Sequence, residues 1–156
     1  MDGMTQDEIT PVDPTIDPKG HEQQARSQEI QARFQQAVVM LHAKQYDYAV
    51  KSLHRVLELA PRLPEAHVNM GYALIGLEQY KAAADFFDTA TTLNPMQINA
   101  YYGLALAYEG QKKYRTAISA MDSFIHLADD NDPSLPKARA ASWEWGELIR
   151  MELSGE

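Results

Sequence analysis

The sequence predicts an all-α fold, an α-solenoid of stacked helix pairs, on three observations. Tyrosine recurs every 34 residues, at Tyr46, Tyr80 and Tyr114. Alanine and leucine recur with the same spacing, at Ala49, Ala83, Ala117, Leu59, Leu93 and Leu127. Pro61 and Pro95 follow the first two of those leucines, and proline disfavours helix at and before its own position. A shared period of this length indicates supersecondary units that stack side by side.

Each unit is expected to be two amphipathic helices joined by a short turn. Small residues at Ala49, Ala83, Ala117, Gly71 and Ala105 let the paired helices approach closely, and the three tyrosines can cover the turn. The first helix starts with Asp17 as its N-cap and Pro18 at its first position. Its early part, through Glu29, is almost wholly polar and is expected to project beyond the solenoid. The predicted helices span about 19–43, 47–60, 64–77, 81–94, 98–111 and 115–128.

A last helix is predicted over about 136–152, after an acidic loop that begins at Asp129. Ser134 is the candidate N-cap. On a helical wheel, one face of this helix carries Ala138, Ala141, Trp145, Leu148 and Ile149. Such a face can seal the open end of a solenoid, so the helix is interpreted as a cap with Trp145 in the core. Trp143 falls on the other side, where it either offers an exposed contact or lies partly over neighbouring side chains.

Composition excludes several classes of function. The 156 residues include 22 acidic and 14 basic ones, for a net charge of −8, which argues against nucleic acid and anionic membrane surfaces as partners. Cysteine is absent, so disulfides, thiolate metal sites and a cysteine nucleophile are excluded. No stretch of about 18 apolar residues is present, and the first residues lack the basic start and apolar run of a signal peptide.

The amino-terminal segment 1–18 differs from the rest of the chain. It holds five acidic residues and three prolines, with no lysine or arginine, and its few apolar residues cannot offset the entropy of ordering. We therefore predict a disordered or extended acidic arm over 1–18 and a single domain over 19–156. An arm that folds back into a groove is the alternative.

The repeated residues resemble the tetratricopeptide repeat (TPR) family. The match is good in the second and third units, through His67, Met70, Gly71, Leu74, Tyr80, Ala83, Phe87, Ala90 and Pro95, and through Tyr101, Leu104, Ala105, Tyr108, Tyr114, Ala117, Met121 and Phe124. The first unit is a poorer match, with Arg33 and Gln36 in apolar slots. The resemblance implies a right-handed superhelix of three repeats over 30–63, 64–97 and 98–131, with a long first helix and a C-terminal capping helix.

No catalytic or metal-binding pattern is found among the residues. The five histidines are not paired at helical spacing, and the loop Asp129–Asp132 lacks the glycine and distal glutamate of an EF-hand. His67 occupies the aromatic slot of its repeat and is expected to pack. There is no phosphate-binding glycine loop and no nucleophilic serine motif. The chain is therefore not expected to be an enzyme or to hold a metal or cofactor.

The resemblance implies that the first helices of the repeats line a concave groove. The candidate partner-binding residues are Phe34, Val38, Leu41, Val68, Asn69, Tyr72, Ile75, Tyr102 and Leu106. Tyr72 and Tyr102 are the expected anchors, because tyrosine offers a rigid apolar ring with a polar tip. Either a partner's apolar or amphipathic segment docks there, or the extra helices or a second copy of the chain cover it.

Some TPR co-chaperones hold a C-terminal carboxylate with lysine, arginine and asparagine at set groove slots. The matching positions here are Phe34, Val38, Asn69, Asn99 and Gly103, and only Asn69 fits. Binding of EEVD-type chaperone tails is therefore not expected.

The sequence predicts a protein–protein interaction module: an adaptor, scaffold or assembly factor similar to small bacterial TPR proteins. A dedicated chaperone of a secreted protein, like the chaperones of type III translocators, is the alternative. Cytoplasmic location is the default expectation, and a periplasmic one would follow from an N-terminal anchor beyond this chain.

Overall fold

The computed structural model describes residues 17–155, and in this range the chain forms seven α-helices and no strand. The predicted arm 1–18 lies outside the described residues except for its last two. The helices are α1 (Pro18–His42), α2 (Tyr46–Leu59), α3 (Pro64–Gly76), α4 (Tyr80–Leu93), α5 (Ile98–Gly110), α6 (Tyr114–Leu127) and α7 (Leu135–Ser154). Consecutive helices pack against each other along the chain, so the molecule is an all-α solenoid.

Helix α1 begins where the sequence predicts and is held to the solenoid only in its second half. The Asp17 side chain accepts a hydrogen bond from the Gly20 amide at 3.1 Å, and Pro18 occupies the first helical position. Residues 21–28 are all exposed, and Ala37 is the buried residue of this helix. Arg55 Nε donates to Glu29 Oε1 at 2.7 Å, which fastens α1 to α2 just after the exposed stretch.

The turn inside each repeat has the same backbone conformation three times. Lys44, Glu78 and Lys112 lie in the left-handed region, with φ of 59°, 60° and 61°. In the first of these turns, the Lys44 amide donates to Leu41 O and the Gln45 amide to Met40 O, the two bonds of a Schellman motif. The same pair of bonds recurs in the other two turns. This motif satisfies the last carbonyls of each first helix and lets the second helix begin one residue earlier than predicted, at the tyrosine.

Two of the repeated tyrosines, Tyr46 and Tyr80, pack onto the next repeat, a contact that the sequence did not indicate. The Tyr46 ring lies on Gly76, the last residue of α3, and the Tyr80 ring lies on Gly110, the last residue of α5. A Cβ atom at either glycine would come closer to the ring than the 3.0 Å that real Cβ atoms keep. Each tyrosine therefore fixes the spacing between successive repeats.

The core runs along the interior of the stack. Phe87, fully buried, lies between Gly71 of α3 and Gly103 of α5, and both glycines are needed because a Cβ on either would overlap its ring. His67 is only 9% exposed; its Nε2 donates to Pro61 O at 2.8 Å, and its ring lies against Phe86 with 5.9 Å between the centroids. His67 thus packs in the aromatic slot of its repeat.

Helix α7 covers the end of the third repeat. Its buried residues are Leu135, Ala138 and Trp145, of which Trp145 is 1% exposed, while Trp143 is 70% exposed. Ser134 occupies the cap position, but the prediction that its side chain caps the helix is wrong. Its backbone is already in the helical region, and its amide donates to Asp132 Oδ1 at 2.8 Å, so the aspartate organises the loop instead.

Candidate functional site

The first helices of the repeats form one continuous surface. Helix α3 packs directly beside both α1 and α5, and within residues 17–155 no pair of second helices packs together to that extent. Because the first helices are closer to each other than the second helices are, the stack curves toward α1, α3 and α5. This concave surface, formed by α1, α3 and α5, is the groove that the repeat pattern implies.

Most of the predicted groove residues are half-buried side chains of α1, α3 and α5. They are Phe34, Val38, Leu41, Asn69, Tyr72, Ile75, Tyr102 and Leu106. Val68 is the exception, since it is only 4% exposed and belongs to the core. Its equivalents in the other repeats, Phe34 and Tyr102, keep part of their surface. Val68 therefore supports the surface from below and offers little contact area itself.

An apolar cleft lies at the amino-terminal end of the concave surface. It has a volume of about 440 Å³ and is lined by Ser27, Ile30, Gln31, Phe34, Leu63 and Glu65. Ile30 and Phe34 are one helical turn apart on α1, and Leu63 comes from the loop that precedes α3. The sequence prediction included Phe34 but missed Ile30 and Leu63. The i, i+4 spacing of Ile30 and Phe34 is a signal that could have found the former.

Two tyrosines occupy the middle of the concave surface. Tyr72 stands edge-on to Phe87, with 5.0 Å between the centroids and an angle of 77°, and its hydroxyl donates to the Asn99 carbonyl at 2.8 Å. Tyr102 stands edge-on to Phe124, with 5.1 Å between the ring centroids and an angle of 79° between the ring planes. These edge-to-face contacts fix both rings against the core. Tyr72 also joins α3 to α5 across the groove, which the sequence did not reveal.

Both phenols are neutral donors at physiological pH. Burial, followed by the nearby Tyr102, raises the pKa of the Tyr72 hydroxyl well above its usual value. Burial and then the Glu109 carboxylate raise the pKa of the Tyr102 hydroxyl. Glu109 follows Tyr102 by two helical turns on α5, so its carboxylate lies on the same side of this helix.

Helix α7 contributes to the carboxyl-terminal end of the surface. The indole Nε1 of Trp145 donates to Glu109 Oε2 at 2.8 Å. Because Trp145 is buried and fixed by the core, this bond orients the Glu109 carboxylate. Trp145 was predicted as a core residue, and no pattern in the sequence indicated its link to Glu109. Trp143 of α7 is 70% exposed, and its role as a second contact stays a prediction.

The positions that hold a carboxylate in some co-chaperones carry no basic side chain here. Of these positions, Phe34 and Val38 are apolar, and Gly103 has no side chain. A side chain at position 103 would overlap Phe87, because even a Cβ there would be too close to its ring. A lysine or arginine therefore could not be accommodated at position 103 without moving the core.

The described part of the chain has neither a cluster of potential metal ligands nor a membrane-spanning helix. Residues 17–155 contain no group of three or more histidine, aspartate or glutamate side chains arranged to hold a metal ion. In the loop Asp129–Asp132, the Asp132 carboxylate is engaged with the Ser134 amide. Among the same residues, no helix combines the length and the apolar character needed to cross a membrane.

Comparison with known proteins identifies the family. Residues 40–106 and 99–130 match the tetratricopeptide repeat family, and together they make up more than half of the chain. The chain belongs to the TPR family. It is 26% identical over 88 residues to the cell division cycle protein 27 homolog of Caenorhabditis elegans, a match that covers 56% of this chain and 11% of that protein. The chain thus spans only a small part of the curated relative that it matches.

Solved structures of TPR domains share the fold. The Sgt2 TPR domain from Aspergillus fumigatus aligns with a TM-score of 0.74 at 20% identity, over 81% of this chain and 82% of that one. The TPR2B domain of yeast Sti1 in complex with pHsp70 aligns with a TM-score of 0.73 at 18% identity, over 78% of this chain and 98% of that one. The first TPR of Spaghetti (RPAP3), bound to the HSP90 peptide SRMEEVD, aligns with a TM-score of 0.72 at 18% identity, over 80% of this chain and 98% of that one.

Proposed function

We propose that this chain is a protein–protein interaction module, an adaptor or scaffold whose concave surface binds an apolar or amphipathic segment of a partner protein. The observation that carries the proposal is the row of half-exposed apolar and aromatic side chains along α1, α3 and α5, from Phe34 through Tyr72 and Ile75 to Tyr102 and Leu106. Such a row is suited to the apolar face of a helix or to alternate side chains of an extended segment.

The residues of this row would make different kinds of contact with a partner. Tyr72 and Tyr102 present ring faces and neutral hydroxyls that are already fixed against Phe87 and Phe124, so little entropy is lost when a partner covers them. Phe34 borders the cleft and can pack against an inserted apolar side chain. Two of the structurally similar TPR domains hold peptides, which supports the class of function but not the same ligand.

The test is a comparison of two double variants of the full chain. Phe34→Ala with Leu106→Ala removes apolar surface from the groove at both ends. Val39→Ala with Tyr48→Ala removes surface outside it, where Val39 is 67% and Tyr48 59% exposed. Tyr72 is left unchanged because its loss would open a hole over Phe87.

Wild type and both variants are used to capture partners from an extract of the source cells, and each captured protein is then titrated in purified form. We expect the groove variant to lose at least about tenfold in affinity, because two partly buried contacts are removed, while the control variant binds as wild type does. Equal binding by the groove variant, with unchanged circular dichroism, would contradict the proposal.

A further inference from the structure

Two glutamates lie toward opposite ends of the concave surface. Glu65 lines the apolar cleft beside Phe34, at its amino-terminal end. Glu109 lies beside Tyr102, toward the other end, where it accepts a hydrogen bond from Trp145. The two glutamates therefore flank the apolar and aromatic row, with Tyr72 between them.

Five basic side chains lie on other surfaces, as their surroundings in the structure show. Arg55 pairs with Glu29 between α1 and α2, and Arg33 acts on the same glutamate. Lys112, Lys113 and Arg115 border a separate cleft of about 310 Å³ between the start of α6 and the end of α7. Among residues 17–155, none of these cations forms an ion pair with Glu65 or Glu109.

The Glu109 carboxylate is held in place and can still pair with a cation. Its Oε2 is held by an indole that is itself 1% exposed, so the orientation of the carboxylate is set by the core rather than by a flexible stem. One hydrogen bond uses only part of the acceptor capacity of a carboxylate, which has about four lone-pair sites. The remaining capacity faces solvent, since Glu109 is exposed.

The concave surface disfavours a partner segment that carries negative charge. Glu65 and Glu109 repel them, and the Tyr72 hydroxyl is engaged with the Asn99 carbonyl. At position 103 there is no room for a basic side chain that would attract a carboxylate. The acidic arm 1–18 of the chain itself belongs to the class that this surface disfavours.

We propose that the concave surface selects a partner segment in which apolar side chains are accompanied by lysine or arginine. An apolar side chain enters the cleft between Ile30, Phe34 and Leu63, and the cations of the segment pair with Glu65 and Glu109. This inference rests on the proposed function and adds the charge of the partner to it. Opposite charge at the rim of a groove sets specificity and the rate of association more than it sets total affinity.

The test starts from a phage-displayed library of random 12-residue peptides selected on the full chain. Enriched peptides are synthesised and titrated against wild type at two salt concentrations. Glu65→Gln and Glu109→Gln remove the two charges, and glutamine at 109 can still accept the hydrogen bond from Trp145. Glu58→Gln and Glu144→Gln remove exposed charges elsewhere on the solenoid and serve as matched controls.

We expect the enriched peptides to combine apolar residues with lysine or arginine. Each groove glutamine should weaken their binding by up to about fivefold and reduce its salt dependence, while the control glutamines leave both unchanged. Double reversal, Glu65→Lys with Glu109→Lys, should shift the selection toward acidic peptides.

Two results would count against the inference, and they differ in what else they affect. Enriched peptides that lose binding to Phe34→Ala with Leu106→Ala, but carry no basic residue or ignore the groove glutamines, overturn the charge preference and leave the proposed function intact. A selection that yields no peptide dependent on Phe34 and Leu106 overturns both.

Discussion

The two terminal helices of the solenoid differ in how much of themselves they bury. At the amino-terminal end, α1 is 25 residues long, yet Ala37 is its one buried residue, and residues 21–28 are exposed. At the carboxyl-terminal end, α7 has 20 residues and buries Leu135, Ala138 and Trp145 against the third repeat. One terminal helix extends into solvent, whereas the other covers the core.

This difference explains where the open surface lies. Trp145 fills the end of the stack and reaches Glu109, so the carboxyl-terminal part of the groove is bordered by a fixed side chain. No helix precedes α1 in the described residues, and Ile30 and Phe34 are left lining an open cleft. Terminal capping elements cover the apolar ends of a solenoid; here α7 does so at the carboxyl-terminal end, and an apolar cleft is left beside α1.

The largest effect should come from removing the cap. A chain that ends at Ser134 loses α7, which exposes the apolar end of repeat 3 around Met121 and Phe124. We expect aggregation, or a loss of helicity greater than the missing helix accounts for, by circular dichroism and light scattering. Removing 1–26 from the other end should leave the melting temperature nearly unchanged, because residues 21–26 make no buried contacts. A monomeric truncation at Ser134 with the wild-type melting temperature would show that α7 is not a cap.

The next effect separates the two tryptophans of α7. Trp145→Ala should reduce the free energy of unfolding by about 3–5 kcal/mol, because a large buried ring and its hydrogen bond to Glu109 are both lost. Trp143→Ala should change it by less than about 0.5 kcal/mol, since this side chain is 70% exposed. Urea denaturation of both variants measures the difference. Similar losses for the two would mean that α7 does not seal the stack through the Trp145 face.

The repeat period explains why the fold could be predicted and much of the site could not. A 34-residue spacing identifies equivalent residues, so the seven helices of residues 17–155 were predicted to within about two residues at their ends. The period does not say how far neighbouring repeats overlap. Val68 is covered in an inner repeat although Phe34, its equivalent at the open end, is not. The bond between Trp145 and Glu109 joins a cap to a repeat, and such a contact has no periodic signal.

The turns inside the repeats offer a smaller test that compares the same position at both ends. Lys44 and Lys112 have φ of 59° and 61°, a region that is strained for residues with a Cβ atom. Lys44→Gly and Lys112→Gly should each stabilise the fold by at most about 1 kcal/mol, because the strain that glycine relieves in the left-handed region exceeds the additional chain entropy that it loses on folding. Lys44→Val and Lys112→Val should destabilise it. If the ends differ only in packing, thermal unfolding will show the same effect at both turns, and a clear effect at only one of them would contradict that view.

The smallest effect concerns the ion pair that attaches the exposed part of α1. Arg55→Gln removes the partner of Glu29, so amides near residues 21–28 should exchange faster while those of the core do not change. The hydrogen bond from Arg55 lowers the pKa of Glu29 below its ordinary value of 4.5. A lowered carboxyl pKa contributes stability that is present above the unfolded value and is lost as the pH falls through the folded value. The difference in exchange protection between wild type and Arg55→Gln should therefore persist at neutral pH and disappear in acid, as the pH falls below 4.5 and through the lowered pKa of Glu29. Hydrogen exchange followed by mass spectrometry, corrected for intrinsic rates at each pH, measures it. A difference that is unchanged in acid would mean that packing of the arginine stem, and not its charge, holds α1 to α2.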